Sequence, residues 1–292
     1  MCPYVFLFDI DKCSQGIEVN VSDIIFELKD IYYSYLSKFP ALCGISMQIK
    51  KGEKISIIGA NGTGKSTLLQ MLDGLILPDN GRILAFGNEL NETALNEDTF
   101  SLDFRKRVGF VFQNPEVQLF CPSVREDILF GPLQLGLPKD EIEKRLDIIT
   151  SDLDIKGLLD RAPHQLSIGE KRKVALASVL AIEPEVIILD EPTAGLDPLT
   201  SRHIIDIILQ RNHEGKTIII STHDLHILEE ISDSVYVLDK NKKIARHGIP
   251  LEIMSDREFL QDNNLIHIHG HRHNGKMHTH AHDHLQDFDH NH

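Results

Sequence analysis

Residues 59 to 67 read Gly59-Ala60-Asn61-Gly62-Thr63-Gly64-Lys65-Ser66-Thr67, which fits the phosphate-binding pattern G-x-x-x-x-G-K-[ST] without a gap. Each part of that spacing has a physical reason. Gly59, Gly62 and Gly64 let the backbone turn tightly and aim successive N–H groups inward, forming a concave nest of positive character. Nucleotide phosphate is its natural occupant. Lys65 is placed to reach the β- and γ-phosphates, the Ser66 hydroxyl to ligate Mg²⁺, and a helix starting there adds its N-terminal dipole. The flanks agree. Lys54-Ile55-Ser56-Ile57-Ile58 reads as a buried strand, and Leu68, Leu69, Leu72 and Leu75 recur at helical spacing until Pro78-Asp79-Asn80-Gly81 stops the run. A glycine-rich turn holding Lys-Ser by accident would have neither flank.

Composition sets the class. A chain of 292 residues with 41% hydrophobic and 25% charged residues is an ordinary globular composition, long enough for one large core or two modest ones. The net charge of −14 opposes nonspecific nucleic-acid binding, which needs clustered Lys and Arg. No run approaches the roughly 18 apolar residues of a membrane span, and Met1 to Phe8 lacks the basic lead of a signal peptide, so the expected location is cytoplasmic. Cys2, Cys13, Cys43 and Cys121 show no C-x-x-C spacing and are expected to be reduced.

Along the chain, residues 1 to about 20 have no period and suggest no role. Ile24 to Tyr35 is rich in β-branched and aromatic residues, and Ile45 to Ile49 alternates before turning at Lys51-Gly52-Glu53, so a small antiparallel sheet is expected beside the nucleotide core. Another short strand is expected between Gly81 and Phe86, and a polar surface loop from Glu89 to Ser101. Arg107 to Phe112 returns to strand character and delivers Gln113 to a strand end, where α/β folds bind ligands; taken alone, Gln113 reads as a solvated loop residue. From Ser123 to Pro163 the apolar spacing is helical, an inserted subdomain with breaks at Gly131-Pro132 and Gly136-Leu137-Pro138. Leu166-Ser167-Ile168-Gly169-Glu170 then opens an apolar helix, where Ser167 is either an N-cap or part of an anion site. Glu185-Val186-Ile187-Ile188-Leu189-Asp190-Glu191 is a buried parallel strand ending in two acids. Asp190 is placed to hold Mg²⁺ through water and Glu191 to polarise a water. A further strand, Thr217 to Ser221, ends at His223, read as a γ-phosphate contact or as a plain cap.

These motifs, in this order, resemble the nucleotide-binding subunit of ATP-binding-cassette (ABC) transporters over about Ile24 to Met254. The resemblance implies an adenine-stacking aromatic at Tyr35, a glutamine loop at Gln113, a signature sequence at Leu166 to Glu170, a catalytic glutamate at Glu191 beside Asp190, a dimer-contact loop at Ala194-Gly195-Leu196-Asp197 and a switch histidine at His223. The family's usual signature is Leu-Ser-Gly-Gly-Gln; here Ile168 and Glu170 replace a glycine and the glutamine, and a β-branched side chain there is expected to crowd an approaching phosphate. Phe112 to Phe120 and Ser123 to Pro132 look like the energy-coupling-factor branch, whose importers take up vitamins or transition metals and whose ATPase pair is gripped near the glutamine loop by a transmembrane component.

The tail is the second informative stretch. Of the sixteen histidines, ten lie between His267 and His292. His267, His269, His271 and His273 alternate, as do His278, His280, His282 and His284, so in an extended chain each quartet projects to one side. Imidazole suits nickel, cobalt, copper and zinc, with Asp283, Asp287 and Asp289 as extra oxygen donors, and several loose sites are expected. The interruptions by Gly, Arg, Met and Asp are unlike a cloning tag. Protonation of the histidines in acid is expected to release metal.

The expected fold is α/β: a P-loop NTPase (ABC ATPase) core of mainly parallel sheet, an antiparallel β subdomain and an inserted α-helical subdomain at about 123–163. Residues 1–22 form an extension, 23–255 the ATPase domain and 256–292 a tail. The expected activity is ATP hydrolysis on the cytoplasmic face of the membrane, driving import of a transition-metal cation such as cobalt or nickel. Its site comprises Tyr35, Gly59, Ala60, Asn61, Gly62, Thr63, Gly64, Lys65, Ser66, Thr67, Ser167 and Gly169 for nucleotide, Ser66, Gln113 and Asp190 for Mg²⁺, and Glu191, His223 and Gln113 for catalysis. Expected partners are a second ABC ATPase subunit, a transmembrane coupling component and a substrate-binding membrane component, with no nucleic acid. Vitamin import, a soluble DNA or ribosome factor, and a metal-storage protein with a regulatory cassette are the rivals. A single P-loop without sustained heptads disfavours the soluble factor.

Overall fold

Strand β1 (Ile24–Tyr35) folds back on β2 (Phe39–Lys50) as an antiparallel pair, with Leu36 and Ser37 taking positive φ in the turn. Then come β3 (Lys54–Ile58), α1 (Lys65–Leu72), β4 (Asn80–Ala85) and β5 (Asn88–Glu89). The computed structural model describes residues 23–273 and 276–282. The first of its sheets has four strands in the order β2-β1-β4-β5.

The stretch expected to be a loop from Glu89 to Ser101 is instead largely helical: α2 (Glu92–Leu95) and α3 (Asp98–Arg107). Asn91 caps α2 by accepting from the Ala94 N–H at 2.9 Å. The apolar residues Leu95, Phe100 and Phe104 are too sparse to declare a helix by period, yet all pack on the core, and the Phe100 and Phe104 rings stack at 6.1 Å across one turn.

Strand β6 (Val108–Val111) leads into the helical region of α4 (Val124–Gln134) and α5 (Lys139–Asp152). Pro132 does not break the chain as its sequence suggests; it lies inside α4. A proline near the end of a helix removes one main-chain bond, and burial of Pro132, with Val124 and Ile128 packed in the core, offsets that loss. Next follow α6 (Ile168–Leu180), β7 (Val186–Asp190), α7 (Pro198–His213), β8 (Thr217–Ser221), α8 (Leu228–Ile231), β9 (Ser234–Leu238), β10 (Ile244–Gly248), α9 (Pro250–Ser255) and α10 (Arg257–Asp262). Strands β11 (His267–His273) and β12 (Lys276–His282) pair as an antiparallel hairpin.

The second sheet has six strands in the order β10-β9-β3-β8-β7-β6, parallel except for the edge strand β10. Its central strands are apolar on both faces because both are covered. Ile55, Ile57, Ile188 and Ile219 face α1 and the antiparallel sheet, while Ile187, Leu189, Ile218 and Ile220 face α4, α6 and α7. Each such side chain contributes about 1.5–3 kcal/mol by leaving water. The parallel arrangement brings the C-terminal ends of β3, β6, β7 and β8 to one edge, so the residues following each strand share a crevice.

Candidate nucleotide site

At that edge, β3 ends in the glycine loop and α1 begins at Lys65. A Cβ on Gly59 would stand 2.6 Å from the Leu238 carbonyl oxygen, and one on Gly64, at φ 104°, would collide with the Ala41 carbonyl. Glycine is therefore required by close backbone approach as well as by the turn. The N-cap of α1 is Gly64, with no side chain bonded to the first turn, which leaves main-chain N–H groups free for an anion. Lys65 is buried and donates to the Gly59 carbonyl at 2.8 Å, with Glu191 3.9 Å away. Burial pushes the Lys65 ammonium below its ordinary pKa, and Glu191 and Asp190 pull it back. Phosphate oxygens would replace the carbonyl as its partner.

Around this loop lies a cavity of about 340 Å³ whose lining includes Tyr35, Asn61, Gly62, Gly64, Lys65, Ser66, Thr67, Gln113 and Glu191. Residues from four elements thus converge on the P-loop. Tyr35 is half exposed at the mouth and its hydroxyl lies 3.1 Å from Thr67 Oγ1. Gly59, Ala60 and Thr63 form the inner wall of the turn, with Thr63 Oγ1 donating to the Ala60 carbonyl at 2.9 Å. The donor set suits a triphosphate with a hard divalent cation: uncapped N–H groups, one cation, and the Ser66, Gln113 and Asp190 oxygens.

Asp190 and Glu191 diverge at the end of β7. Asp190 is buried and accepts from Ser221 Oγ at 2.5 Å. Glu191 takes positive φ, 48°, a conformation that costs about 1–3 kcal/mol in a residue with a side chain. Its N–H donates to Ser221 Oγ at 3.0 Å and to the Ser221 carbonyl at 3.1 Å, and these bonds hold the turn. The Glu191 carboxylate then points to the Lys65 cavity on one side and to His223 Nδ1, 2.7 Å from its Oε2, on the other. His223 itself is exposed and lines a neighbouring cavity with Thr193 to Leu196.

Ser167 and Gly169 are not brought to the P-loop. They line a separate cavity of about 550 Å³ with Arg161, Ile168, Glu170, Lys173, Asp197 and Thr200, and this lining shares no residue with that of the P-loop cavity. Ser167 is an N-cap: its Oγ accepts from the Glu170 N–H at 3.3 Å while Glu170 Oε2 accepts from the Ser167 N–H at 2.7 Å. Ile168 starts α6, 51% exposed and without positive φ. Asp197 caps α7 by accepting from the Thr200 N–H at 2.9 Å.

Two site residues escape the sequence. Arg172, on α6, is 3% exposed and donates through Nη1 to the Phe112 carbonyl at 3.0 Å, immediately before Gln113; its Nε has no partner. Burial lowers its pKa against the pull of Asp190 and Glu191. Gln118 accepts from the Phe112 N–H at 3.2 Å and donates to the Ala175 carbonyl at 2.8 Å. Together they clamp the glutamine loop to the signature helix. Within the basic run Lys171-Arg172-Lys173, nothing in the spacing singles out the middle residue.

Among residues with described side chains, no group of three or more His, Cys, Asp or Glu is arranged to hold a metal ion. The backbone of His267, His269, His271, His273, His278, His280 and His282 is described; His284 and the extension at 1–22 lie outside the described residues. Among the described residues no helix is long and apolar enough to cross a membrane.

Comparison with known proteins agrees with this geometry. The family described as "ABC transporter" matches residues 42–194. The "Energy-coupling factor transporter ATP-binding protein EcfA" of Methanothermobacter thermautotrophicus is 45% identical over 239 residues, covering 82% of this chain and 75% of that protein. The "Nickel import ATP-binding protein NikO" of Rhodobacter capsulatus is 45% identical over 244 residues, covering 82% and 95%. Among solved structures, cbiO1 from Clostridium perfringens, part of an ABC transporter complex, superposes with a TM-score of 0.70 at 40% identity, covering 83% of this chain and 95% of that one. A P-loop crevice of this form, carried on a sequence this similar, places the chain in the ABC transporter family as an ATP-hydrolysing, energy-coupling subunit of the energy-coupling-factor branch.

Proposed function

We propose that two such subunits, identical or related, sandwich two ATP molecules, the P-loop of one facing the signature loop of the other, and that the pair drives import of a transition-metal cation, cobalt or nickel. The observation that carries the sandwich is the separation of the two half-sites within one chain: the P-loop cavity and the cavity of Ser167 and Gly169 have no lining residue in common. Each is completed only by a second chain.

In this reading Tyr35 stacks on the adenine, and the backbone of Gly59 to Thr67 with Lys65 holds the phosphates. Ser66, Gln113 and Asp190 would hold Mg²⁺, whose charge offsets that of the phosphates. Glu191 orients the attacking water and His223 steadies both Glu191 and the γ-phosphate. ATP contacts both chains only in the closed pair, so it biases the closed population, and hydrolysis releases it.

The clamp of Arg172 and Gln118 carries movement between α6 and the glutamine loop. Beyond that loop Val117, Phe120, Phe130 and Leu133 are exposed, with the Phe120 and Phe130 rings edge to face at 5.0 Å. An apolar patch of this kind suits a transmembrane coupling component that holds the subunit at the cytoplasmic face. For the cargo, support comes from the histidine-rich tail and from the names of the NikO and cbiO1 relatives.

The sandwich is tested with the Glu191→Gln variant on size exclusion: ATP should shift it from monomer to dimer, and an ATP-indifferent monomer, alone or with its co-purified partner subunit, overturns the arrangement. The cargo is tested by uptake of radiolabelled nickel and cobalt into cells with and without this chain. Unchanged metal uptake beside lost vitamin uptake overturns the metal assignment.

A further inference from the structure

The sequence gives two rows of alternating histidines, and the backbone turns them into rungs. In the β11–β12 hairpin, His267 pairs with His282, His269 with His280 and His271 with His278, while the intervening pairs are Ile268 with Ala281, Gly270 with Thr279 and Arg272 with Met277. Strand residues alternate between faces, and residues directly opposite share a face. The register therefore assigns all seven histidines of the two strands to one face, six of them as three consecutive cross-strand pairs and His273 opposite Lys276, and none to the other. A register slipped by one residue would set every histidine against a non-histidine.

Spacing decides what such a face can bind. Opposite Cα atoms in an antiparallel pair stand about 4.5–5.5 Å apart, and successive same-face positions about 7 Å apart along the strand. Imidazole nitrogens bind late transition metals at about 2.0–2.1 Å, so two residues of one rung are within reach of one ion and a neighbouring rung can complete four ligands. The hairpin also has a fixed root. Ile266 is buried in a cluster with Leu228, Val235, Val237 and Leu260, and Leu265 packs against it, so β11 begins at a point held by the ATPase body.

We propose that this face of the β11–β12 hairpin is a binding site for a divalent late transition-metal ion (nickel, cobalt, zinc or copper) whose minimal ligand set is one cross-strand histidine rung. The site does not depend on which cargo the importer carries. Nitrogen donors exclude Mg²⁺ and Ca²⁺, which take oxygen ligands. Binding cross-links the two strands and displaces protons from the imidazoles, so hairpin closure and metal loading are one equilibrium that acid reverses.

The test keeps composition constant and changes register. Calorimetric titration of the full chain with NiCl₂ and ZnCl₂ is compared with that of the paired exchange Thr279→His with His280→Thr, which moves one histidine to the opposite face, and with His269→Ala, His280→Ala and their double variant. Nucleotide binding serves as the control for folding. His269 and His280 form the central rung, which every pair of neighbouring rungs includes, so the exchange and each single variant should remove the four-ligand arrangement and weaken the tightest site by roughly tenfold or more. The double variant should cost little beyond either single one. An exchange variant that binds as the native chain does, or single effects that simply add, overturns the rung and leaves a set of independent histidines.

Discussion

His223 Nδ1 lies 2.7 Å from Glu191 Oε2, although the two residues come from different strands and are 32 positions apart. The same carboxylate stands 3.9 Å from the Lys65 ammonium. Glu191 is therefore held at a fixed point between the buried Lys65 ammonium and an exposed imidazole. That placement, with its strained backbone, separates its role from that of Asp190, which is turned inward to Ser221.

Glu191→Gln preserves shape and hydrogen bonding to His223 while removing the proposed base. ATP turnover should fall about 100-fold or more, with ATP affinity retained. Phosphate release and equilibrium binding of a fluorescent ATP analogue measure the two separately; wild-type turnover in the variant contradicts the assignment.

His223→Ala leaves Lys65 and the P-loop untouched but frees the Glu191 carboxylate. We expect kcat to drop about tenfold or more with KM for ATP changed much less, as for a group that acts on the transition state. A rise in KM with unchanged kcat would make His223 a binding residue only.

Glu170 places a carboxylate where the family carries a neutral glutamine, and the Ser167 N–H that it accepts holds its pKa below the usual carboxylate range. It therefore stays charged beside the face proposed to meet a partner's triphosphate. Glu170→Gln keeps an oxygen for the Ser167 N–H and removes the repulsion, so ATP-driven dimerisation should tighten, by about twofold to tenfold for an exposed, screened charge. Sedimentation of the Glu191→Gln background with and without the second change reads the difference, and weaker association would place Glu170 among attractive contacts.

Arg172→Met fills much of the same volume without the guanidinium. It orphans the Phe112 carbonyl, which should cost about 1–3 kcal/mol of stability. If the clamp relays movement, coupling to the membrane partner suffers more than the subunit's own hydrolysis. Stimulation of ATPase activity by the assembled transporter is the measurement, and equal losses with and without the membrane component would reduce Arg172 to a structural role.

Burial pushes the Asp73 carboxyl from its usual 3.8 up to about 7, against the opposing pull of Arg105. A folded-state pKa above the unfolded value contributes stability that is complete below about pH 4 and is lost as pH rises through about 7. The loss is at most roughly 4 kcal/mol. Asp73→Asn removes this titration, so the fall in urea midpoint between pH 5 and pH 8 should be smaller in the variant than in the native chain. Equal falls would show that Asp73 is charged throughout.

What could be read early was local. The P-loop, the apolar run ending at Asp190 and Glu191, and the strand before His223 are contiguous, and each states its chemistry within about ten residues. The helices at Glu92–Leu95 and Asp98–Arg107 were hidden because few apolar residues mark them, and Pro132 misled because propensity yields to packing when a helix is buried. Arg172 reaches Phe112 across 60 positions, a contact that no period encodes.

Sequence by itself determined the phosphate nest, the acids at the strand end and the two histidine rows, because main-chain turns and side-chain alternation depend on neighbours only. Tertiary structure decided the rest: that Glu191 meets His223 and Lys65 at once, that the signature loop stands apart from its own P-loop, and that His269 pairs with His280. The first two depend on which strand ends converge, which the parallel sheet sets through burial of residues far apart in the chain, and the third on the antiparallel register of β11 and β12.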